Sequence, residues 1–191
     1  MTARWVVDEV RPHRDLTVTW QPISLFFKNE PDADSDYFEP LQRTHGLLRV
    51  IESVRSADDS PIDAVESLYI EYGRRIHHDQ SQDFDPADAL RSVGLDARHA
   101  QAFDEPSWDA EIRTRMDRGL ALTGDDVGTP IIAFDDRNGT KQGYFGPVIT
   151  RVPSTEDSLA MWDALVAMMN VDGFWELKRT RTQGPEFGDR P

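Results

Sequence analysis

The sequence predicts an α/β fold interrupted by an all-helical insertion. Three observations carry that expectation. Period-two alternation with β-branched and aromatic residues occurs only near the start, at 16–21, and again after residue 124. The long stretch between, from about 36 to 122, holds its apolar residues at helical spacing throughout. Turn chemistry of the hairpin kind occurs only in the last third, at Asn138-Gly139. The expected division is therefore residues 1–27 with 125–191 as an incomplete α/β part, and residues 28–124 as the insertion.

The elements follow in order. The chain opens in a helical pattern with Trp5, Val6 and Val10 on one face, Thr2 as the only N-cap candidate, and Pro12 as the stop. Leu16 to Gln21 reads as a strand ended by Pro22. Lys28 to Ser35 is polar and reads as a loop. Tyr37, Phe38, Leu41, Leu48, Ile51 and Val54 then define a long helix, with Gly46 a weak point, and a break follows at 56–61. Ile62, Val65, Tyr69, Tyr72 and Ile76 step by three and four and predict an amphipathic helix. Asp85-Pro86-Ala87-Asp88 is a helix start with cap, N1 proline and first-turn acid, and Gly94 closes that helix. A short helix follows Asp96. Another begins near Ser107, with Trp108, Ile112, Met116 and Leu120 at steps of four. After Gly124 come a strand at 130–134, the Asn-Gly turn, a second strand at 144–149, and a helix capped by Ser154 with Leu159, Trp162, Val166 and Met169 facing inward.

Composition excludes several classes of function. The 191 residues hold 21 Lys+Arg against 35 Asp+Glu, a formal charge of −14, which opposes binding to nucleic acid or to an anionic membrane surface. Hydrophobic residues at 38% and charged residues at 29% describe a globular domain. No apolar run long enough for a membrane span and no secretory pattern at the N-terminus are present, so a cytoplasmic location is expected. There is no cysteine, which removes disulfides, Cys-ligated zinc and a thiol nucleophile from these residues.

Helix, strand, helical block, hairpin and helix would complete β-α-β, helical insertion, β-β-α if one strand preceded the first helix. That is the thioredoxin-like plan. Asp126-Val127-Gly128-Thr129-Pro130-Ile131, Gly143-Tyr144-Phe145-Gly146-Pro147-Val148 and Phe174-Trp175-Glu176-Leu177-Lys178-Arg179-Thr180-Arg181-Thr182 together resemble the DsbA-like thioredoxin-fold oxidoreductases of actinobacteria, closest to the mycothiol-dependent reductases that include a nitroreductase. Met1 to Trp5, Ser24-Leu25, Asn29-Glu30 and Gly73 to His77 fit the same pattern. The resemblance implies a thiol-disulfide oxidoreductase using mycothiol or another small thiol as cosubstrate, and acting on a small-molecule or disulfide substrate. In that family a Cys-Pro-Trp-x motif opens the first helix, where unpaired N–H groups stabilise the attacking thiolate. Here the motif and the strand before it are missing, and the expected cysteine would lie upstream of Met1.

The resemblance makes Pro130 the family's cis-proline, with Gly128 and Thr129 presenting main chain to a bound thiol. It assigns His77, Asn29 and Tyr37 to the cleft. Each has a plainer reading: a trans loop proline, a cation at a helix C-terminus, a loop asparagine and a half-buried helix aromatic. His77-His78-Asp79 is a poor chelate because adjacent helical side chains diverge, and no metal site is expected. Trp20 and Trp162 read as core. Lys178 to Arg181 reads as a basic segment that neutralises carboxylates or meets an anionic thiol. Two other functions stay open: an enzyme like the kappa-class glutathione transferases and chromene-carboxylate isomerases, where Ser replaces Cys, and a non-catalytic thiol- or partner-binding remnant. With its first central strand absent, the sheet is expected to show a gap, with unpaired backbone, poor solubility or pairing to another chain.

Overall fold

A computed structural model describes residues 1–191. It is mixed α/β, about half helix, with one two-stranded sheet. The chain forms two compact units. One comprises Met1–Thr19 with Arg118–Gly188, the other Trp20–Asp117 with Asp189–Pro191.

In the first unit the chain starts with α1 (Thr2–Arg4), which continues as π-helical winding over Trp5–Val10 and a 3-10 turn at Arg11–His13. A π-helix closes i→i+5, so Trp5 and Val10 stack on one face. Both are fully buried, and Val7 rather than Val6 completes the buried face. Thr2 is not a cap. It sits inside the helix, and its hydroxyl donates to the Pro147 carbonyl at 2.7 Å. The strand expected at 16–21 does not form. Burial still alternates from Leu16 to Trp20, but no ladder hydrogen bond joins the segment to another strand. The side chains follow the period of a strand, but no strand pairs with the segment.

β1 (Ile131–Asp135) and β2 (Lys141–Phe145) pair antiparallel, Ile131 opposite Phe145 and Asp135 opposite Lys141. The second strand therefore comes earlier than 144–149, and Gly146 to Ile149 lies outside it. The turn dictates the shift. Asp136 Oδ1 accepts from the N–H of Asn138 and of Thr140, and Gly139 takes φ 75°, fixing a tight reversal and hence the register. Those backbone bonds hold the Asp136 carboxyl below its usual pKa, the one from Thr140 foremost. Gly146 N donates to Pro130 O, and Asp136 N donates to Thr140 O, each at 2.8 Å. Even-numbered residues of β1 thus face β2, and the N–H and C=O groups of Ile131, Ala133 and Asp135 point to the other edge, where no strand stands.

α7 (Thr155–Met169) begins where Ser154 accepts from Asp157 N. Trp162 packs against Trp5 at 5.9 Å and Phe134 at 6.3 Å between ring centroids. Arg14 grips Asp163 with two nitrogens, at 2.9 and 2.6 Å.

In the second unit, α2 (Leu25–Asn29) replaces the start of the expected loop. Ser24 caps it by accepting from Phe27 N at 3.1 Å. α3 (Phe38–Ser56), α4 (Ala64–Gly73) and α5 (Pro86–Ser92) follow, then 3-10 turns at Ala97–Asp104 and Pro106–Trp108, and α6 (Asp109–Leu120), whose last residues enter the other unit. Asp85 caps as predicted, accepting from Ala87 N, and Asp96 caps the short helix expected after it, accepting from Arg98 N. The buried face of α4 is the predicted one only in part. Tyr72 is buried and Val65 and Ile76 pack against the core, but Ala64 and Leu68 go inward while Ile62 and Tyr69 are exposed. The i, i+4, i+8 row of Ala64, Leu68 and Tyr72 meets Leu47, Val50, Ile51 and Val54 of α3 together with Phe84 and Leu90. Each large side chain so buried contributes on the order of 1.5–3 kcal/mol.

Gly46 does not weaken α3. A Cβ there would lie 2.6 Å from the Phe103 ring, so the glycine is what lets that ring dock. Gly73 also has helical backbone, φ −61° and ψ −40°, and nothing within 4 Å of a Cβ. Gly46→Ala should lower the thermal midpoint, because overpacking of about 1–3 kcal/mol exceeds the gain of up to about 1 kcal/mol in helix propensity. Gly73→Ala should raise it by roughly 2–4 °C. Thermal unfolding of the two variants beside the parent checks both signs.

Candidate functional site

The expected thiol-facing residues fall on both units, and each set is described within its own. In the first unit, Gly128, Thr129 and Pro130 lead directly into β1. The Thr129–Pro130 peptide is cis, as the resemblance implied, and so is Gly146–Pro147 across the ladder, which the sequence reading did not single out. Pro130 lacks an N–H but sits at the strand's entry, where its carbonyl accepts from Gly146 N. Thr129 is exposed. A Cβ on Gly128 would meet nothing within 4 Å, so the main chain here faces open space.

In the second unit, Asn29 is the last residue of α2 and is exposed. Tyr37 precedes α3 and is 72% exposed, not half-buried. His77 lies in a second π-helical stretch, Arg74–His78, that extends α4. Its carbonyl accepts from Gln80 Nε2 at 2.8 Å, and its side chain is exposed. Desolvation of the ring is the main influence that lowers the His77 pKa, with His78 a smaller one, and the shift favours the neutral imidazole.

The structure adds a constellation that spacing did not reveal. Ser24 Oγ and His45 Nδ1 lie 2.9 Å apart, and His45 Nε2 is 3.0 Å from Asp109 Oδ1. Arg49 donates to both oxygens of Asp109, at 2.6 and 2.9 Å. Ser24 and His45 are almost fully buried. The order Ser, His, Asp is that of a hydrolytic triad, yet the chemistry is different. The hydroxyl is buried and already accepts the Phe27 N–H, so no substrate carbonyl reaches it. The group is a positioning relay that joins the caps and faces of α2, α3 and α6. The i, i+4 spacing of His45 and Arg49 was the one local sign of it, since it puts both on one face.

Its protonation states are set by competition for one carboxylate. Burial opposes ionisation of Asp109, but the hydrogen bonds from Arg49 and His45 outweigh it and hold the carboxyl below its usual range. Burial lowers the His45 pKa and outweighs the favourable Asp109 contact. Arg49 neutralises the aspartate, so His45 stays uncharged, with Nε2–H donating to Asp109 and Nδ1 accepting from Ser24.

No group of three or more His, Asp or Glu side chains is placed to hold a metal ion. No helix is long and apolar enough to cross a membrane. A family model described as Rv2466c-like, mycothiol-dependent nitroreductase Rv2466c, matches residues 1–179.

A histidine with a lowered folded pKa stabilises the fold fully above its ordinary value of 6.5, and that contribution is lost as pH falls below it, because the unfolded chain takes the proton first. Asp109 acts in a separate window, losing its contribution only below the ordinary 3.8. The thermal midpoint should therefore fall from pH 6.5 towards 5, and His45→Gln should flatten the slope. Part of the slope should remain, from His77 and His99, whose pKa values burial also lowers.

Proposed function

The chain belongs to the mycothiol-dependent nitroreductase family, and from that membership we propose that it is a DsbA-like, thioredoxin-fold unit that binds mycothiol as cosubstrate for reduction of a small molecule or disulfide. The match over residues 1–179 is the observation that carries the reading. Gly128, Thr129 and Pro130 are its thiol-facing main chain, supported by the open space before β1. His77, Asn29 and Tyr37 are its binding residues on the helical unit. Neutral His77 suits the role of accepting a thiol proton, which converts the weakly reactive thiol into the attacking thiolate.

In such a reaction two thiols join as a disulfide, giving up two electrons and two protons. A nitro group takes both and leaves as a nitroso group and water. In disulfide reduction the same pair reduces one S–S bond through a mixed disulfide. These 191 residues hold no cysteine, so on their own they supply no attacking sulfur.

Two outcomes test this. Mycothiol titrated into the isotopically labelled chain should shift the amides of Gly128, Thr129 and His77 saturably, and His77→Ala should weaken binding without removing the shift at Thr129. Unshifted Gly128 and Thr129 amides would sink the assignment of the loop. Without added thiol, the chain should reduce a disulfide substrate no faster than buffer does.

A further inference from the structure

We propose that the exposed segment 175–185 closes over the Gly128-Thr129-Pro130 loop when a small thiol is bound there, and that Lys178, Arg179 and Arg181 then stabilise the thiolate form of the thiol's sulfur. This rests on the thiol-binding reading above and adds to it the groups that make the bound sulfur reactive.

The segment is a strap tied down at both ends, and strap and loop belong to the same unit. At its start the Tyr144 hydroxyl donates to the Phe174 carbonyl, and the two rings lie 5.7 Å apart. At its end Glu186 N donates to the Thr150 carbonyl at 2.6 Å, and Arg4 Nη1 donates to the Phe187 carbonyl at 3.1 Å. Every residue from 175 to 185 is exposed and lies outside helix and strand, with Trp175 at 85% and Leu177 at 79% exposure.

The charges are the second observation. The sequence leaves two roles for this basic segment, neutralising carboxylates or meeting an anionic thiol. No ion pair joins Lys178, Arg179 or Arg181 to an acid, so the first role is not filled. Other arginines of the unit are engaged, Arg4 with Asp8, Arg14 with Asp163 and Arg151 with Glu186.

The loop lies within the strap's reach. Gly146 N donates to Pro130 O, and the chain from Gly146 to the Thr150 anchor spans at most about 14 Å. Tyr144, the other anchor, stands opposite Ile132 in the ladder, just past Pro130. Arg181 is tethered to Glu186 by up to about 17 Å of chain, so its guanidinium can come to the loop with both anchors in place. The loop also needs those cations. Exposed Asp125 and Asp126 precede Gly128, and like charge disfavours a thiolate. Lysine or arginine beside the sulfur favours it. Closure takes apolar surface of Trp175 and Leu177 out of water as well.

The test is the ionisation of mycothiol bound to the whole chain. The chain has no cysteine, so the thiolate absorbance belongs to the ligand alone. At saturating chain, the bound thiol should titrate at least about one pKa unit below free mycothiol. High salt should shrink that shift, because the strap is exposed. The combined variant Lys178→Gln, Arg179→Gln and Arg181→Gln should return the thiol to its free value, while mycothiol still moves the Gly128 and Thr129 amides. Arg179→Lys with Arg181→Lys should keep the shift. In the parent chain, the Trp175 indole N–H and the amides of 178–181 should move together with those of the loop. Loop amides that move while the thiol titrates as in free solution overturn the proposal, and so does a shift that survives the glutamine variant. Loop amides that stay still overturn the thiol-binding reading itself, and the strap's role with it.

Discussion

The carboxylate of Asp109 takes three charge-assisted hydrogen bonds, two from Arg49 and one from His45, and through them α6 is fixed to α3 and α3 to α2. Much of the helical unit follows from that arrangement. A half-buried aspartate without the guanidinium would be costly, since burying an unpaired charge is far more expensive than pairing one returns. With the guanidinium in place, the aspartate needs no proton from His45, and the imidazole is free to stay neutral and hold Ser24. Arginine suits this duty better than lysine because its planar fork meets both carboxylate oxygens at once. The same logic recurs at Glu52, which is almost fully buried between Arg55 and Arg115, and at Glu71 beside Arg75. A chain with 35 acidic residues thus buries a few of them only where an arginine is at hand.

What the residues announce locally, the structure keeps. The helices starting after Asp85, Asp96 and Ser154 are where they were expected because each cap is a short-range interaction, complete within three residues. The Asn138-Gly139 turn was legible for the same reason. Several of the failures are non-local. Leu16 to Trp20 has the composition and burial rhythm of a strand, yet a strand exists only with a neighbour. The inward face of α4 was misplaced by one or two residues because Ile62 lies before the helix begins, and only the packing against α3 selects Leu68 over Tyr69. π-helical winding over Trp5–Val10 and Arg74–His78 has no signature at a 3.6-residue period.

The candidate sites divide the same way. Pro130 and its neighbours could be singled out because a motif is contiguous. Ser24, His45 and Asp109 are 21 and 64 positions apart in sequence, and no spacing rule joins them.

The hairpin's backbone has one more consequence. In β1 the amide hydrogens of Ile132 and Phe134 are tied to β2, and those of Ile131, Ala133 and Asp135 look away from it towards an edge with no strand. Resistance to solvent exchange along this single strand therefore alternates residue by residue, slow at 132 and 134 and fast at 131, 133 and 135. Any chain that comes to lie along that edge would turn the alternation into uniform protection, so the strand carries its own record of whether it has company.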